Sequence, residues 1–464
     1  MMYLLQYIPI ITSSILLVLA SIGVLYIDNG KREGYLAAFS LTVSVMIVSL
    51  LIFLYSLVTG NYNYPLFSST LYITPFGYFI SISSLLASII VVVGGKEELE
   101  NWGTRSSFLS LVLLTNIGVV YLAFSYNVLT ILASWGIASA ATYVIAFLSK
   151  DYNSTEAGVK YLIMGIVSSS LMVIGLAFFV LGINSLSLDA TVSYPLLVYA
   201  GILFFSVAFL FKIGAFPFQG WLPEVYSIAN RVSVAFVSSV GKIVGIAPLV
   251  VLLYYLKPQG DLATVVFILF VIITLSSLVF GNISAFSRKE LASMLAYSSI
   301  TQVGFMLIAI SMIPYNLSLA IASLSVYILA YSIAQAGLFL GVSHIEKVSG
   351  TSSYEGLNGL ASADKTLAFS MTVLLLSLLG IPPILGFWAK LFVLESSFSQ
   401  PWLTLIGFIN SAISAGYYIP PIREMFKEGK FEVVESSERD GVIIASILSI
   451  ILGIIAPLIL GVLT

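Results

Sequence analysis

Three lysines, Lys212, Lys242 and Lys390, lie inside long apolar stretches of a chain that otherwise keeps its charges outside such stretches. An ammonium group near the centre of a bilayer costs roughly 2.5 to 3.5 kcal/mol on insertion scales, so charged residues there are rare and usually functional. Buried amines can change their protonation with their surroundings, which suits a proton relay. The three lysines therefore predict a chain that moves protons or other ions.

The composition indicates which elements must position these lysines. Of the 464 residues, 59% are hydrophobic and only 9% are charged, which is too little polar surface for a soluble globule. Apolar runs of about 20 residues recur along the chain, the length that an α-helix needs to cross a bilayer, and they do not alternate as barrel strands do. We expect an all-α polytopic membrane protein with about 14 transmembrane helices.

Cysteine is absent, which excludes disulfides, thiolate metal sites and iron–sulfur ligation by this chain. The sequence also has no flavin, haem or quinone motif, so we expect no cofactor, no metal and no redox site of its own. His344, the only histidine, is expected at a helix end as a surface or capping residue. The first apolar run lacks a basic start and an A-x-A-like cleavage site, so we expect a retained helix there.

The basic residues predict the orientation of the helices. If successive loops alternate sides, Lys257 falls on one side of the membrane and every other loop Lys or Arg falls on the opposite side. Lysine and arginine accumulate in cytoplasmic loops. We therefore expect both termini on the non-cytoplasmic side.

Proline interrupts two of the lysine-bearing spans, the seventh and the twelfth. Pro217 follows Lys212 by five residues, whereas Pro382 and Pro383 precede Lys390. Proline removes a backbone donor and clashes with the preceding turn, so both helices are expected to break. In lipid such a break survives only inside protein or beside a wet cavity. The alternative, that proline and glycine are merely common in membrane helices, leaves the lysines unexplained.

Two broken helices five spans apart indicate an inverted repeat. We expect three N-terminal helices in residues 1–105, a first five-helix unit in 106–257, a second in 258–430, and a loop with the last helix in 431–464. Spans four to eight and nine to thirteen form the two units. Each unit then contains one interrupted helix.

Lys242 lies in the string VSSVGKIV, directly after small and hydroxylated residues. Such residues allow close helix approach, and the hydroxyls of Ser238 and Ser239 can hold water, which a titrating lysine needs. The alternative is a lysine whose amine reaches up to an interface. Lys242 lies about ten residues into its span, which is too deep for that to be easy.

These strings resemble a known family. FKIGAFPFQGWLPEVY and VSSVGKIV are similar to the seventh and eighth helices of the antiporter-like subunits of respiratory complex I and their Mrp antiporter relatives. MLAYSSITQVGF, LSLLGIPPILGFWAKLFVLES and SAISAGYYIPPIREMF resemble other stretches of the family, and the likeness runs from Ser106 to Lys427. Among the paralogues the chain most resembles subunit N, although GFW-x-K also suits the Mrp D type.

The resemblance implies a proton-translocating module with a hydrophilic axis along the membrane mid-plane. It implies that Lys212 is the central lysine of a first half-channel, Lys242 a connecting lysine and Lys390 the terminal lysine of a second half-channel. The implied partners are other membrane subunits of a complex I-like assembly, including paralogous antiporter-like subunits, within the lipid bilayer of an energy-transducing membrane. No nucleic-acid partner is implied, and redox chemistry would lie in other subunits.

One departure from the family concerns the fifth helix, which reads SWGIASAATY. Trp135 and Tyr143 match the family pattern, but Gly136 occupies the position of a glutamate that normally pairs with the lysine of the seventh helix. Lys212 is then neutral for much of the cycle, or takes an acid from a neighbouring subunit, or lies in an inactive half-channel. We favour weakened coupling with the water path retained.

A second group of candidates supports the lysines. Tyr331 and Gln335 stand in the eleventh helix where some paralogues have ionisable side chains; they can order water, but the amide cannot titrate. Glu395 is expected to guide a proton toward the exit or to be a rim acid, and Glu224 to help proton entry on the cytoplasmic side. The acidic run 428–440 is expected to be a solvated loop first and a docking segment second.

Three other functions remain open. A subunit of a sodium/proton antiporter or of a membrane-bound hydrogenase would share the fold and the lysines. A structural spacer that has lost pumping agrees with Gly136 but not with three retained lysines. A stand-alone solute transporter is opposed by the lack of a substrate-sized polar cluster.

Overall fold

A computed structural model describes residues 2–463 of the chain. Its helices up to the middle of the chain are α1 (Met2–Ile27), α2 (Arg32–Val58), α3 (Pro75–Gly94), α4 (Lys96–Glu100), α5 (Arg105–Ala123), α6 (Val128–Ile145), α7 (Tyr152–Ile183), α8 (Pro195–Ile213), α9 (Trp221–Ile228) and α10 (Arg231–Leu256). A short antiparallel hairpin of β1 (Tyr64–Leu66) and β2 (Leu71–Ile73) joins α2 to α3, with Pro65 opposite Tyr72.

The rest of the chain forms α11 (Gly260–Phe286), α12 (Leu291–Met312), α13 (Leu317–Ser349), α14 (Leu360–Ala363), α15 (Lys365–Leu379), α16 (Leu385–Ser396), α17 (Pro401–Met425) and α18 (Ser437–Leu463). A 3₁₀ turn, Tyr354–Leu357, precedes α14. Within residues 2–463, thirteen helices are long and apolar enough to cross a membrane. The α15–α16 pair takes the place of the twelfth predicted span, so the prediction of an all-α polytopic membrane fold is confirmed.

Side-chain caps begin many of these helices. Each capping oxygen accepts a hydrogen bond from an amide of the first turn, which has no partner inside the helix. The caps are Thr74 of α3, Asn127 of α6, Asp151 of α7, Asn230 of α10, Asn316 of α13 and Asp364 of α15. The polar residues between the apolar runs therefore define where the helices start.

The core lies around α10 and α13, and the lysines are placed with respect to it. The most apolar stretch of α10 is completely buried, whereas only 39% of the corresponding stretch of α7 is buried. The helix α10 packs against α3, α8 and α13, and α13 also packs against α16 and α18. Because α10, which carries Lys242, and α16, which carries Lys390, both contact α13, this helix joins the regions of the two lysines.

Both predicted helix breaks are present, and glycine ends the helix in each. Gly214 after α8 has a φ of +67°, and Gly380 after α15 has a φ of +93°, the left-handed conformation that glycine adopts without strain. The amide of Ala215 then donates to the carbonyl of Leu210 at 2.9 Å, and the amide of Ile381 to that of Leu376 at 3.0 Å. These bonds define a Schellman motif in both breaks.

The prolines lie just beyond these glycines. The Phe216–Pro217 and Pro382–Pro383 peptide bonds are cis. Proline alone does not interrupt a helix here, since Pro248 lies inside α10, which continues through it. The glycine and the proline together therefore distinguish the two broken spans. The inverted relation of the two five-helix units stays a prediction.

Two expectations about polar residues are wrong. His344 is 2% exposed and its Nδ1 lies 2.9 Å from the hydroxyl of Ser436, so it is not a surface residue. In the run 428–440, Glu438 is fully buried and paired with Lys347, and Arg439 pairs with Asp364 at 2.5 Å. The solvated-loop interpretation fails for these residues because α18 begins at Ser437 and packs on α13 and α15.

Candidate functional site

Lys212 is buried at the last turn of α8 and points into a group of aromatic rings. Its Nζ donates to the hydroxyl of Thr142 at 2.9 Å. The ring centroids lie 3.9 Å away for Tyr143, 4.8 Å for Tyr161 and 5.8 Å for Trp135. We call these three rings the Lys212 cage. Two come from α6 and one from α7, so three helices build the site.

Gly136 lies beside the cage but on the exposed face of α6. A Cβ atom placed on it has no neighbouring atom within 4 Å. Among the described residues, no carboxylate forms an ion pair with Lys212. Gly136, the position at which the resemblance implies an acid, is therefore open to the surroundings of the chain.

Lys242 lies on the most buried helix and caps the end of α8. Its Nζ donates to the carbonyl oxygen of Ile213, the last residue of α8. The last carbonyls of a helix lack intrahelical partners and carry the negative end of the helix dipole. The hydroxyls of Ser238 and Ser239 are buried and donate back to the carbonyl of Ala235 on the same helix. Both predicted supporting serines thus face their own backbone.

Lys390 has the same relation to the other broken helix. Its Nζ donates to the carbonyl of Leu379, the last residue of α15, at 3.0 Å and to the hydroxyl of Ser411 at 3.2 Å. The ring of Phe305 lies 4.6 Å from the amine. Each break therefore places a helix C-terminus against a buried lysine ammonium group.

At each break, the helix that follows the whole broken span also contacts the terminal carbonyl of the first half, that of Ile213 or of Leu379. Lys242 on α10 contacts Ile213, and Ser411 on α17 donates to the carbonyl of Leu379 at 3.4 Å. At the first break the lysine, Lys242, therefore belongs to the next span, α10. At the second break the lysine, Lys390, belongs to α16, the second half of the broken span itself. Sequence spacing from the prolines does not reveal this, because it does not say which side chain reaches the terminal carbonyl.

A buried polar network beside Lys390 was missed as a site by the sequence analysis. The amide of Gln302 donates to the carbonyl of Leu378 at 2.9 Å and to the hydroxyl of Tyr418 at 2.8 Å, and its oxygen accepts from Tyr327. Gln302 and Lys390 both line a cavity of about 10 Å³, which is room for about one water molecule. The polar residues of the string MLAYSSITQVGF, in the middle of a predicted span, were the available signal.

A second missed network lies between α11 and α17. The amide of Asn282 donates to the side-chain oxygen of Asn410 at 2.9 Å, and the hydroxyl of Tyr417 donates to Asn282 at 2.9 Å. These side chains are buried. Each asparagine interrupts an apolar run, which was again a readable signal.

The two predicted polar residues of the eleventh span lie in the core of α13. The hydroxyl of Tyr331 donates to Ser299 at 3.0 Å. Gln335 is fully buried, and neither its amide nitrogen nor its oxygen has a hydrogen-bond partner in the described part of the chain. Most buried amides are satisfied by protein or ordered water.

Glu224, predicted to help proton entry, and Glu395, predicted to guide a proton toward the exit or to be a rim acid, are both exposed. Glu224 pairs with Lys160 at 2.8 Å, and Lys160 also contacts Glu156 at 2.9 Å. Glu395 lies near the end of α16. Neither acid is in contact with the buried lysines in the structure.

A charged cluster joins the helix ends on the predicted cytoplasmic side. Lys347 pairs with Glu98 at 2.8 Å and with Glu438, and Arg231 pairs with Glu346 at 2.7 Å. Asp364, which caps α15, accepts from Arg439; burial raises the pKa of Asp364, but this contact and the amide of Leu367 outweigh burial and lower it below the ordinary value. The cluster connects α4, α10, α13 and α18.

A further ion pair joins α1 to α5. Asp28 accepts two hydrogen bonds from the guanidinium of Arg105, at 2.8 and 2.9 Å. The hydrogen bond from Arg105 holds the pKa of Asp28 below its ordinary value of 3.8, although burial opposes the shift. In residues 2–463 no group of three His, Asp or Glu side chains is arranged to hold a metal ion.

Comparison with known proteins agrees with this architecture. The family described as NADH:quinone oxidoreductase/Mrp antiporter, TM, matches residues 125–414, which include all three buried lysines. The chain belongs to this family. The predicted resemblance to antiporter-like membrane subunits is thereby confirmed.

Relatives within the family cover nearly the whole chain. NADH-quinone oxidoreductase subunit N of Desulfitobacterium hafniense is 27% identical, over 93% of this chain and 91% of the relative. F(420)H(2) dehydrogenase subunit N of Methanosarcina mazei is also 27% identical, over the same shares. A chain of respiratory complex I from Thermus thermophilus, solved with bound aureothin, has a TM-score of 0.82 at 24% identity and covers 97% of this chain and 98% of its own length. This last likeness concerns the fold alone.

Proposed function

We propose that this chain is a proton-translocating subunit of a complex I-type quinone oxidoreductase and that Lys212, Lys242 and Lys390 carry the protons. The observation that supports this most is the burial of three lysines, none of which forms an ion pair with a carboxylate in the described chain. A purely structural lysine at such depth is costly. A role in proton transfer, in which each amine loses and regains a proton, would explain why the three lysines are buried there.

The end of α8 offers a way for two of these lysines to influence each other. Lys212 and Ile213 are consecutive, and Lys242 donates to the carbonyl of Ile213. Two ammonium groups at one helix end repel each other, and that repulsion is weakly screened inside protein. Protonation of one lysine then favours release of the proton from the other, which gives a step of transfer along the membrane plane.

The remaining steps need polar groups between the lysines. Gln302 lies on the buried helix α12, and Tyr331 and Gln335 lie on α13, which packs against both α10 and α16. We propose that water joins these groups and that Glu224 and Glu395 serve the two openings. The two five-helix units would each supply one half of the path, with both chain termini on the non-cytoplasmic side.

Redox chemistry belongs to partner subunits in this proposal. The named relatives include subunits of an NADH-quinone oxidoreductase and of an F(420)H(2) dehydrogenase, which use different electron donors. The chain itself would respond to a neighbouring subunit through charge and conformation. It would therefore work with several kinds of electron-input module.

The test uses the assembled complex in sealed vesicles. Lys212→Met, Lys242→Met and Lys390→Met are each compared with Lys257→Met, which changes an exposed loop lysine. We expect fewer protons moved per electron in the three buried variants and no change in the control. Full proton stoichiometry in all three buried variants would refute the proposal and favour the structural spacer.

The family description also names Mrp antiporters, which keeps cation/proton exchange as a second candidate. The same vesicles distinguish it: uptake of radioactive sodium driven by a pH gradient without any electron donor supports exchange. Proton movement that requires electron transfer and does not depend on sodium supports the proton pump.

A further inference from the structure

We propose that the Lys212 cage stabilises the charged form of Lys212 in the role that a carboxylate would have. The proposal rests on the proposed function for its consequence in transport, but the interaction itself is local. Trp135, Tyr143 and Tyr161 present ring surfaces to one ammonium group. The negative ring faces, together with one hydroxyl, would replace the paired acid.

The distances agree with cation–π contacts. All three centroids lie within about 6 Å of Nζ, the range in which a ring attracts a cation. Tyr143 is the nearest at 3.9 Å, and Thr142 accepts one of the ammonium hydrogens at 2.9 Å. Aromatic cages are a known means of binding ammonium groups, and the attraction increases when water is excluded.

Neighbouring groups hold the rings in place. Tyr143 meets Tyr161 edge to face at 4.8 Å, and Tyr161 stacks on Trp221 at 4.6 Å. The indole nitrogen of Trp135 donates to the hydroxyl of Ser169 at 3.1 Å. These contacts fix the ring orientations before any proton arrives, so the cage needs no reorganisation to receive a charge.

Glycine allows both sides of this site to close. A Cβ atom on Gly165 would lie 2.2 Å from the ring of Tyr143, and a Cβ atom on Gly245 would lie 3.1 Å from Cγ of Lys212. The α7 backbone thus approaches the ring, and the α10 backbone approaches the lysine stem. The stem of Lys212 thus packs on α10, and its amine lies among the rings of α6 and α7.

No carboxylate of the described residues stabilises the charge at this site, although Lys212 lies in the last turn of α8, near the negative end of that helix dipole. The cavity beside the amine, lined among others by Phe211 and Trp221, has no room for a water molecule. The titratable groups that face Lys212 are Tyr143 from α6, Tyr161 from α7 and, at the same helix end, Lys242 from α10. The tyrosines are neutral and the lysine is repulsive. Besides the carboxyl end of α8, the ring faces and Thr142 are the groups that attract the ammonium group.

The experiment replaces Tyr143 with phenylalanine and then with 4-fluoro-, 3,5-difluoro- and 3,4,5-trifluorophenylalanine. Fluorine withdraws charge from the ring face while the ring keeps nearly the same shape, so packing is matched along the series. The protonation of Lys212 is followed against pH by NMR of ¹⁵Nζ-labelled lysine in the assembled complex. The Lys212 signal is assigned by its loss in Lys212→Met.

We expect the proton affinity of Lys212 to fall stepwise along the series, by about 2-fold to 30-fold in total, the range expected for one cation–π contact. The same series at Tyr78, a buried tyrosine of α3 with no cation over its ring among the described residues, is the control and leaves the affinity unchanged. A Lys212 affinity that is equal across the Tyr143 series would overturn the proposal.

This outcome is separate from that of the pumping test. If the proton affinity of Lys212 falls with fluorination while Lys212→Met pumps normally, the cage proposal is supported and the transport role of Lys212 is refuted. If Lys212→Met stops pumping while the proton affinity of Lys212 does not change with fluorination, the transport role is supported and the cage proposal is refuted.

Discussion

The ammonium group of Lys242 donates a hydrogen bond to the carbonyl oxygen of Ile213, the residue at which α8 ends. Lys390 does the same for Leu379, at which α15 ends. In both places a positive charge meets the negative end of a helix dipole, a contact worth up to about 2 kcal/mol in partly buried geometries. The two broken helices are therefore alike in how they end, although their lysines come from different helices.

The first prediction concerns the cap at the end of α8. Lys242→Gln keeps a hydrogen-bond donor for the carbonyl of Ile213 but removes the charge. We expect Lys242→Met to lower the thermal stability, because an unpaired buried carbonyl costs about 1 to 3 kcal/mol. We expect Lys242→Gln to lower it much less. Both variants are expected to reduce proton pumping. Thermal unfolding of the detergent-solubilised complex and pumping in vesicles measure the two effects.

Equal stability of the Gln and Met variants would show that the hydrogen bond to Ile213 contributes nothing measurable. Normal pumping by Lys242→Gln would exclude a need for a titrating amine at this position.

The second prediction concerns Ser411, which accepts from Lys390 and donates to the carbonyl of Leu379. Ser411→Ala removes both contacts, so we expect a loss of about 0.5 to 1.5 kcal/mol in the free energy of unfolding. Ser276→Ala, which removes a half-buried hydroxyl that donates only to its own helix, is the control. Chemical denaturation in detergent compares the two; losses of the same size would argue against a special role for Ser411.

The third prediction concerns Gly136. Glutamate fits there because a Cβ atom meets nothing within 4 Å. We expect Gly136→Glu to change the proton stoichiometry per electron or its pH dependence in the assembled complex, since a carboxylate would be added next to the Lys212 cage. Gly136→Gln adds the same volume without charge and is expected to behave as the parent chain does. If the Glu and Gln variants are both indistinguishable from the parent, the position has no role in coupling.

The fourth prediction concerns the Asp28–Arg105 pair, in which the two side chains are 5% and 11% exposed. The pKa of Asp28 is lowered in the folded chain, so the pair stabilises the fold above the ordinary value of 3.8, and this contribution disappears as the pH falls through the lower, folded value. We expect Asp28→Asn to cost about 1.5 to 3 kcal/mol at pH 7. Unfolding of the detergent-solubilised chain at several pH values measures the difference.

The control for this pair is Asp261→Asn, which changes an exposed acid in the first turn of α11. We expect no comparable loss from it at pH 7. An Asp28→Asn deficit that persists undiminished below the folded pKa would mean that the loss does not come from the charge.

The predictable part of this structure follows from local rules. Apolar runs of membrane length predicted the spans, and the prolines predicted the two breaks, which lie at 214–220 and 380–384 in the structure. The burial of Lys212, Lys242 and Lys390 followed from their positions within apolar runs. Each of these features depends on residues close together in sequence.

The features that sequence reasoning missed depend on tertiary packing. Tyr161 joins Trp135 and Tyr143 only because α7 packs against α6. Charged residues can also be buried when they are paired, and a composition argument does not see the partner. Glu438 was assigned to a solvated loop for this reason, although Lys347 of α13 neutralises it.

The length of α15 has a consequence for the cost of its lysine. Fifteen residues of α-helix span about 22 Å, less than the roughly 30 Å of hydrocarbon, so a helix of this length that starts at one surface ends inside the membrane with unpaired carbonyls. An unpaired ammonium group at the same depth is also unfavourable. Each satisfies the other, and a Cβ atom on Gly380 would lie 2.9 Å from Cδ of Lys390. The break and the lysine therefore depend on each other. A continuous helix would leave the ammonium group without the carbonyl of Leu379, and loss of the ammonium group would leave that carbonyl without its charged donor.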